Sequence, residues 1–363
     1  MSVEEMNISD KENLIKVGFD FEEKDRAATF LQEDNSIKLV KSLVPGVEIF
    51  SIEEALKKYS WVKEYYGKAF QKINKDFYED TQGGYFIWIK KNTQVFFPIQ
   101  ACLLIKKEKF SQRVHNLVII DENAQGYIIT GCTVSETSFD SFHLGISEFF
   151  IKKGGYLNFT MIHKWQDTTL VEPKTVAIVE EKGSFISNYI CLHPVKKVVM
   201  YPEVLLVGEK AKARFNSLLF AHPDSFLDIG SKVVFKAPFT GAEVISRAIS
   251  DKGEVIVRGH LQSQSPRVKA HLECQGLMLS DKGRIWAIPQ LETSYQDVDM
   301  SHEAAIGKID REEIEYLCSR TLTEEEAKSV IVRGFMNTNI LFLPQVLRSE
   351  VEKLMQEVTK TSL

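Results

Sequence analysis

One thiol and one imidazole near the end of the chain, Cys274 and His302, are the side chains whose chemistry most needs a setting. Glu292 lies between them and Glu303 follows the histidine directly. These are soft and borderline donors that suit iron or a persulfide. A closed zinc site wants four tight ligands, usually with paired cysteines, and the chain has no paired-cysteine motif. The thiol and imidazole are far apart along the chain, so only the fold can bring them together. On a strand, Cys274 shares a face with Leu272, Gly276 and Met278, while Glu273 points the other way. Residue type alone reads Cys274 as a small buried apolar residue, Glu292 and Glu303 as solvated carboxylates, and the Ser301-His302-Glu303 run as a turn or helix cap.

The remaining thiols are less suggestive. Cys102 and Cys318 sit among apolar residues and read as core. Cys191 and His193 form a C-x-H pair that alternation places on one strand face. Five cysteines scattered over 363 residues do not make a disulfide framework and fit a reduced, cytoplasmic protein. The N-terminus is acidic and lacks the pattern of a secretion signal, and no window approaches a membrane span. A net charge of −5 with both signs interspersed provides no basic field for nucleic acid. No G-x-x-x-x-G-K-[ST] loop is present, so ATP hydrolysis is not expected of this chain.

The elements that would hold these groups follow from periodicity. Residues 1–82 read as a charged helical region, with a capping box at Ser51 and Glu54 and an amphipathic face through Leu56, Tyr59, Val62 and Tyr66. From Gly83 the texture changes to short aromatic and β-branched runs such as YFIWI, ACLLI and NLVII, which predict strands to about residue 295. Glycines in turn contexts at 154, 183, 208, 230, 253 and 283 recur at wide, fairly even intervals, too long for successive hairpin turns. Asn-Gly and Asp-Gly hairpin pairs are missing. A coil of strands stacked turn on turn explains both features better than a hairpin sandwich. Helix is predicted again from Asp310, from Thr323 with Glu326, and from Pro344.

The C-terminal segments HLECQGLMLSDKGRIWAIPQLET, DVDMSHEAAIGKIDREEIEYLCSR and TLTEEEAKSVIVRGF resemble the SufB/SufD family of iron–sulfur cluster assembly scaffolds. Looser matches occur earlier in GGYFIWI, GCTVSETSFDSFH and NFTMIHKW. The resemblance implies a right-handed parallel β-helix core over 83–300, flanked by the N-terminal helical region and a C-terminal helical domain over 301–363 that docks on a SufC-like ABC ATPase. It implies that Cys274, His302, Glu303 and Glu292 hold a transient iron–sulfur cluster, and it marks Cys132 in GCTVS as a candidate sulfur relay. The ATPase contact is expected at Phe335, Met336, Leu341, Pro344 and Leu347. Thr293 stands where some SufB proteins carry a further cysteine, which excludes a second thiol there.

Mixed SufB-like and SufD-like features imply a scaffold that pairs with itself, so that two-fold symmetry turns one thiol per chain into two facing thiols. A cysteine desulfurase or another sulfur donor would supply sulfur; the sequence leaves open whether a flavin takes part. Two rivals remain at this stage. One is a SufD-like structural partner of the ATPase that holds no cluster. The other is a β-helix polysaccharide-acting enzyme, which would need paired carboxylates along a groove.

Overall fold

In the computed structural model, which describes residues 6–75, 80–337 and 352, strand accounts for 51% of the chain and helix for 14%. The strands wind into a β-helix of about eight turns. Each turn contributes to both of two sheets, its strand in the second sheet being split in two in two of the coils, and strands within a sheet are nearly all parallel. The first sheet runs from Ser36–Ser42 through Ala28–Glu33, Ile99–Ile105, Gln125–Val134, Tyr156–Lys164, Ser184–Cys191, Lys212–Ala221, Gly241–Ser250 and Val268–Met278 to Val298–Lys308. The second sheet ends in Phe226–Phe235, Glu254–Ser263 and Arg284–Thr293.

The coil length is set by the register. Successive partners Gln125, Tyr156, Ser184, Lys212, Gly241 and Lys269 follow one another at a nearly constant interval, one coil each. One residue in each turn from the second sheet to the first, except the last at 294–297, is left-handed: Asn92, Asn123, Gly154, Lys182, Lys210, Phe239 and Arg267. Its N–H donates to a carbonyl of the next coil, as from Asn123 to Lys153 at 3.0 Å and from Lys182 to Glu209 at 2.9 Å. The backbone ladder therefore continues through the turns, which meets the hydrogen-bonding demand of buried peptide groups. Only one of these seven positions is glycine, which is why no glycine repeat marks the coil.

Inward-pointing residues from both sheets fill the centre in one continuous apolar core, from Phe30 and Tyr85 at one end to Leu272 and Cys274 at the other. A second cluster forms where Ile52, Ala55, Val62, Ala69 and Phe70 pack on the outer face of the second sheet. A third lies where Val332 and Met336 of helix Glu324–Asn337 pack on the outer face of the first sheet, against Ile249 and Leu277.

Three expectations change, and a fourth falls outside the described residues. The stretch 28–51, expected to be helical, forms three strands, and antiparallel pairs among them and with Tyr85–Ile89 close the N-terminal end of the coil. Alternation such as Ile37-Lys38-Leu39 is a period of two that the lysines and glutamates obscured. Gly230 lies inside strand Phe226–Phe235, not in a turn. A Cβ there would stand 2.5 Å from the Arg258 Cβ and 2.7 Å from the Tyr201 ring, so glycine is needed for close approach. The Ser301-His302-Glu303 run is strand, within Val298–Lys308, so the coil continues past residue 300. Pro344 and the helix expected from it lie outside the described residues.

The predicted caps do form. Glu54 N–H donates to Ser51 Oγ at 3.2 Å, Glu312 N–H to Asp310 Oδ1 at 2.9 Å, and Thr323 and Glu326 bond reciprocally.

Candidate functional site

Strand Val268–Met278 belongs to the penultimate coil and Val298–Lys308 to the last. Register pairs Leu272 with His302, Glu273 with Glu303, and Cys274 with Ala304. Residues paired in a parallel ladder point to the same face. Cys274 and His302 therefore share the inner face, on adjacent coils and two positions apart along the strand. Burial reflects their different coils: Cys274 is 3% exposed, under Ala304, whereas His302 is exposed on the open last coil.

The thiol is held neutral. Burial pushes its pKa up to about 11 and the Glu273 carboxylate adds to the rise, while the Arg247 guanidinium opposes it. Arg247 Nη1 lies 2.7 Å from Glu273 Oε1 on the outer face of the sheet, and its guanidinium stands 5.9 Å from the Phe335 ring. An outer-face ion pair under the C-terminal helix thus sits directly behind the thiol.

The two carboxylates do not join this pair within one chain. Glu303 follows Glu273 onto the outer face of the first sheet. Glu292 is on strand Arg284–Thr293 of the second sheet, in register with Gln262. It accepts hydrogen bonds from Gln262 Nε2 at 3.0 Å and His260 Nε2 at 3.2 Å, and these hold its carboxyl below the usual range. Among the described residues no group of three or more His, Cys, Asp or Glu side chains is placed to hold a metal ion. Thr293, in register with the buried Ser263, offers a hydroxyl on the inner face.

Cys132 lies in the core, 1% exposed, stacked in register between Leu103 and His163, with Cys191 one coil further on. Burial raises its thiol well above the ordinary value, with Cys102 contributing. Gly131 beside it faces out under the N-terminal segment, where a Cβ would come within 2.5 Å of Val17; the Gly-Cys pair fits one residue against each side of the sheet. His163 Nδ1 bonds Tyr189 Oη at 3.0 Å, while His163 Nε2 and Trp165 Nε1 are buried without hydrogen-bond partners among the described residues. This interior polar strip escaped the sequence reading, although alternation within NFTMIHKW already places His163 on the face of Phe159 and Met161.

Of the expected ATPase contacts, Met336 is fully buried against the chain's own β-helix and Phe335 is half-buried beside Arg247. Leu341, Pro344 and Leu347 lie outside the described residues. Cys102 is buried as expected, and Cys191 is buried too; Cys318, expected in the core, is only half-buried, on a helix that buries none of its side chains. No helix of the described residues is long and apolar enough to cross a membrane.

Known proteins match this chain over nearly its whole length. The family profile described as SUF system FeS cluster assembly, SufBD core domain, matches residues 103–335. An iron–sulfur cluster assembly SufBD family protein of Archaeoglobus fulgidus is 47% identical over 351 residues, covering 96% of this chain and 94% of the relative. One from Methanothermobacter thermautotrophicus is 43% identical, covering 95% and 86%. The iron–sulfur cluster assembly protein SufB of Bacillus subtilis is 32% identical over 279 residues, covering 76% of this chain and 59% of that protein. With a coiled parallel sheet, an inward thiol one coil from its open end and these matches together, the chain belongs to the SufBD family of iron–sulfur cluster assembly proteins.

Proposed function

We propose that this chain is a scaffold on which iron–sulfur clusters are built and from which they are handed on, acting as a homodimer beside a SufC-like ABC ATPase. The cluster is cargo, and ATP hydrolysis belongs to the partner. The observation that carries the reading is the placement of Cys274 and His302 on one inner face at the coil's open end. There, strands Val298–Lys308 and Arg284–Thr293 each pair on one side only. A second copy meeting this end would bring its own thiol and imidazole, completing a mixed set that holds a cluster loosely enough to release it.

Burial of Cys274 adds a condition. A neutral thiol under Ala304 becomes a ligand only when the last coil shifts and the proton leaves, which gives an ATPase-driven movement something to do. Tyr189, Ser217, Ser246 and Cys274 stand in register on the inner face, a polar line within a filled core. Cys132, buried on the neighbouring column, would relay sulfur from a desulfurase or other donor only when the core opens to it.

The same burial favours one alternative, a SufD-like partner whose thiol is only packing. Anaerobic reconstitution with iron and sulfide separates the two. The scaffold reading expects cluster absorbance in the wild type and its loss in Cys274→Ser and His302→Ala. Absorbance unchanged in both variants would leave the structural partner.

A further inference from the structure

We infer that the outer face of the first sheet carries a second binding site, for a small organic phosphate of mononucleotide size. A groove of about 630 Å³ crosses the starts of five successive strands, from Ser184 to Ser301. Register aligns Ser184, Lys212, Gly241, Lys269 and Asp299 in one outward column. Gly241 leaves a notch between two lysines whose backbones are about 10 Å apart, two strand spacings. A Cβ there would meet only the Lys269 carbonyl oxygen, at 3.2 Å. The notch is open space, and both ammonium groups can reach over it to one anion.

Many turn lysines of this chain are charge-paired, and these two are not. Along the neighbouring turns, Lys90, Lys91, Lys152, Lys153, Lys182 and Lys210 each stand within 4.0 Å of a glutamate carboxylate. Lys212 and Lys269 have no such partner among the described residues, although the chain as a whole is acidic. Asp299 follows Lys269 in the column but forms no ion pair with it. In the adjacent column Arg214 is tied to Glu243 at 2.9 Å, and His271 Nδ1 bonds Ser301 Oγ at 2.9 Å, which turns the ring while its Nε2 stays unengaged among the described residues. Two uncompensated cations over a glycine notch are the features of a phosphoryl subsite. The rest of the lining is the Ile186 side chain and the backbone of Ala213, Ala242 and Ala270, whose methyl groups face the core, a flat floor that suits an organic group better than a bare ion.

Calorimetric titration of the purified full chain at low salt tests this, with adenosine 5′-monophosphate as probe and adenosine and inorganic pyrophosphate as controls. The expected result is one saturable site for the monophosphate, none for adenosine, and weaker binding of pyrophosphate. Affinity should fall at least tenfold in the Lys212→Ala/Lys269→Ala double variant, as loss of charged hydrogen bonds requires, and should be unchanged in Lys63→Ala, an exposed lysine elsewhere. Gly241→Leu should block the notch; thermal melts of each variant separate blocking from unfolding, and the lysine variants carry the test if the leucine does not fold. Absence of saturable monophosphate binding, or a double variant that binds like the wild type, overturns the site. Pyrophosphate binding as tightly as the monophosphate overturns the organic half of the assignment.

Discussion

Cys274 differs from an ordinary surface cysteine in protonation as well as position. A thiolate is the form that binds iron or attacks an electrophile, and this thiol's pKa is pushed up to about 11. Iodoacetamide should therefore label Cys318, the half-buried thiol, well before Cys274. Below its pKa, labelling of Cys274 should gain about tenfold per pH unit from thiolate content alone. Its rate should still be climbing between pH 9 and 10, where an ordinary thiol has levelled off. Peptide-resolved mass spectrometry after timed quenching reads both rates; rapid labelling at pH 7.5 would show an open, ionised site instead. The shared face of Cys274 and its neighbours was legible from strand alternation, and the step to His302 needed only the coil length. Residue type alone pointed to burial, but its cause was not legible, because Ala304 lies one coil above, a contact that no local pattern in the sequence announces.

At the scale of elements, a β-helix depends on what holds its attachments to its sides. The N-terminal helical segment is tied down by Glu148, fully buried on the outer face of the second sheet. Its Oε1 accepts from Gly67 N–H at 2.5 Å and its Oε2 from Ala69 N–H at 2.7 Å, capping the turn that begins helix Lys68–Gln71. His115 Nε2 lies 2.8 Å from the same carboxylate, and Tyr66 stacks on the His115 ring. Glu148→Ala would strand two buried backbone donors, and such groups cost about 1–3 kcal/mol each. Urea denaturation should show a loss of roughly 3 kcal/mol, with early proteolytic cleavage within 52–75 while the β-helix stays resistant. Glutamine, which keeps both acceptor positions only in part, should lose less. Such a latch cannot be read from sequence: Glu148 sits in an apolar strand 79 residues beyond Ala69, with nothing local to pair it. The coil itself was legible, for a reason only partly right. Spaced glycines suggested a winding chain, yet Gly230 lies in a strand and the left-handed turn positions are held mostly by asparagine, lysine and other side chains. What the spacing captured was coil length, set by the parallel register rather than by glycine.

For the whole molecule, the two ends of the coil are finished differently. Antiparallel strands Ser36–Ser42 and Val47–Ser51 close the N-terminal end, while at the other end, among the described residues, two strands each have one unpaired edge, with Leu291 and Ile306 about two-fifths exposed. Open edges of this kind invite pairing with another chain unless charge, proline or a covering element prevents it. Strand Arg284–Thr293 carries Pro289 at its edge, but Val298–Lys308 carries no proline. A two-fold dimer through Val298–Lys308 would pair its free N–H and C=O groups and bury the inner-face residues of both last coils, His302 among them. N–H groups alternate in direction along a parallel strand, and the register that turns Lys269 N–H back to Thr240 turns Ala305 N–H back to the strand of Cys274 and leaves that of Ile306 on the edge. Ile306→Pro therefore removes an edge N–H without changing Cys274 or His302. Light scattering on the purified chain should then find a dimer for the wild type and a monomer for Ile306→Pro, with circular dichroism unchanged because that edge pairs with no strand among the described residues. If both proteins scatter as monomers, alone and beside the ATPase, symmetry cannot supply the second thiol, and one cysteine per chain is too few for the cluster site proposed here.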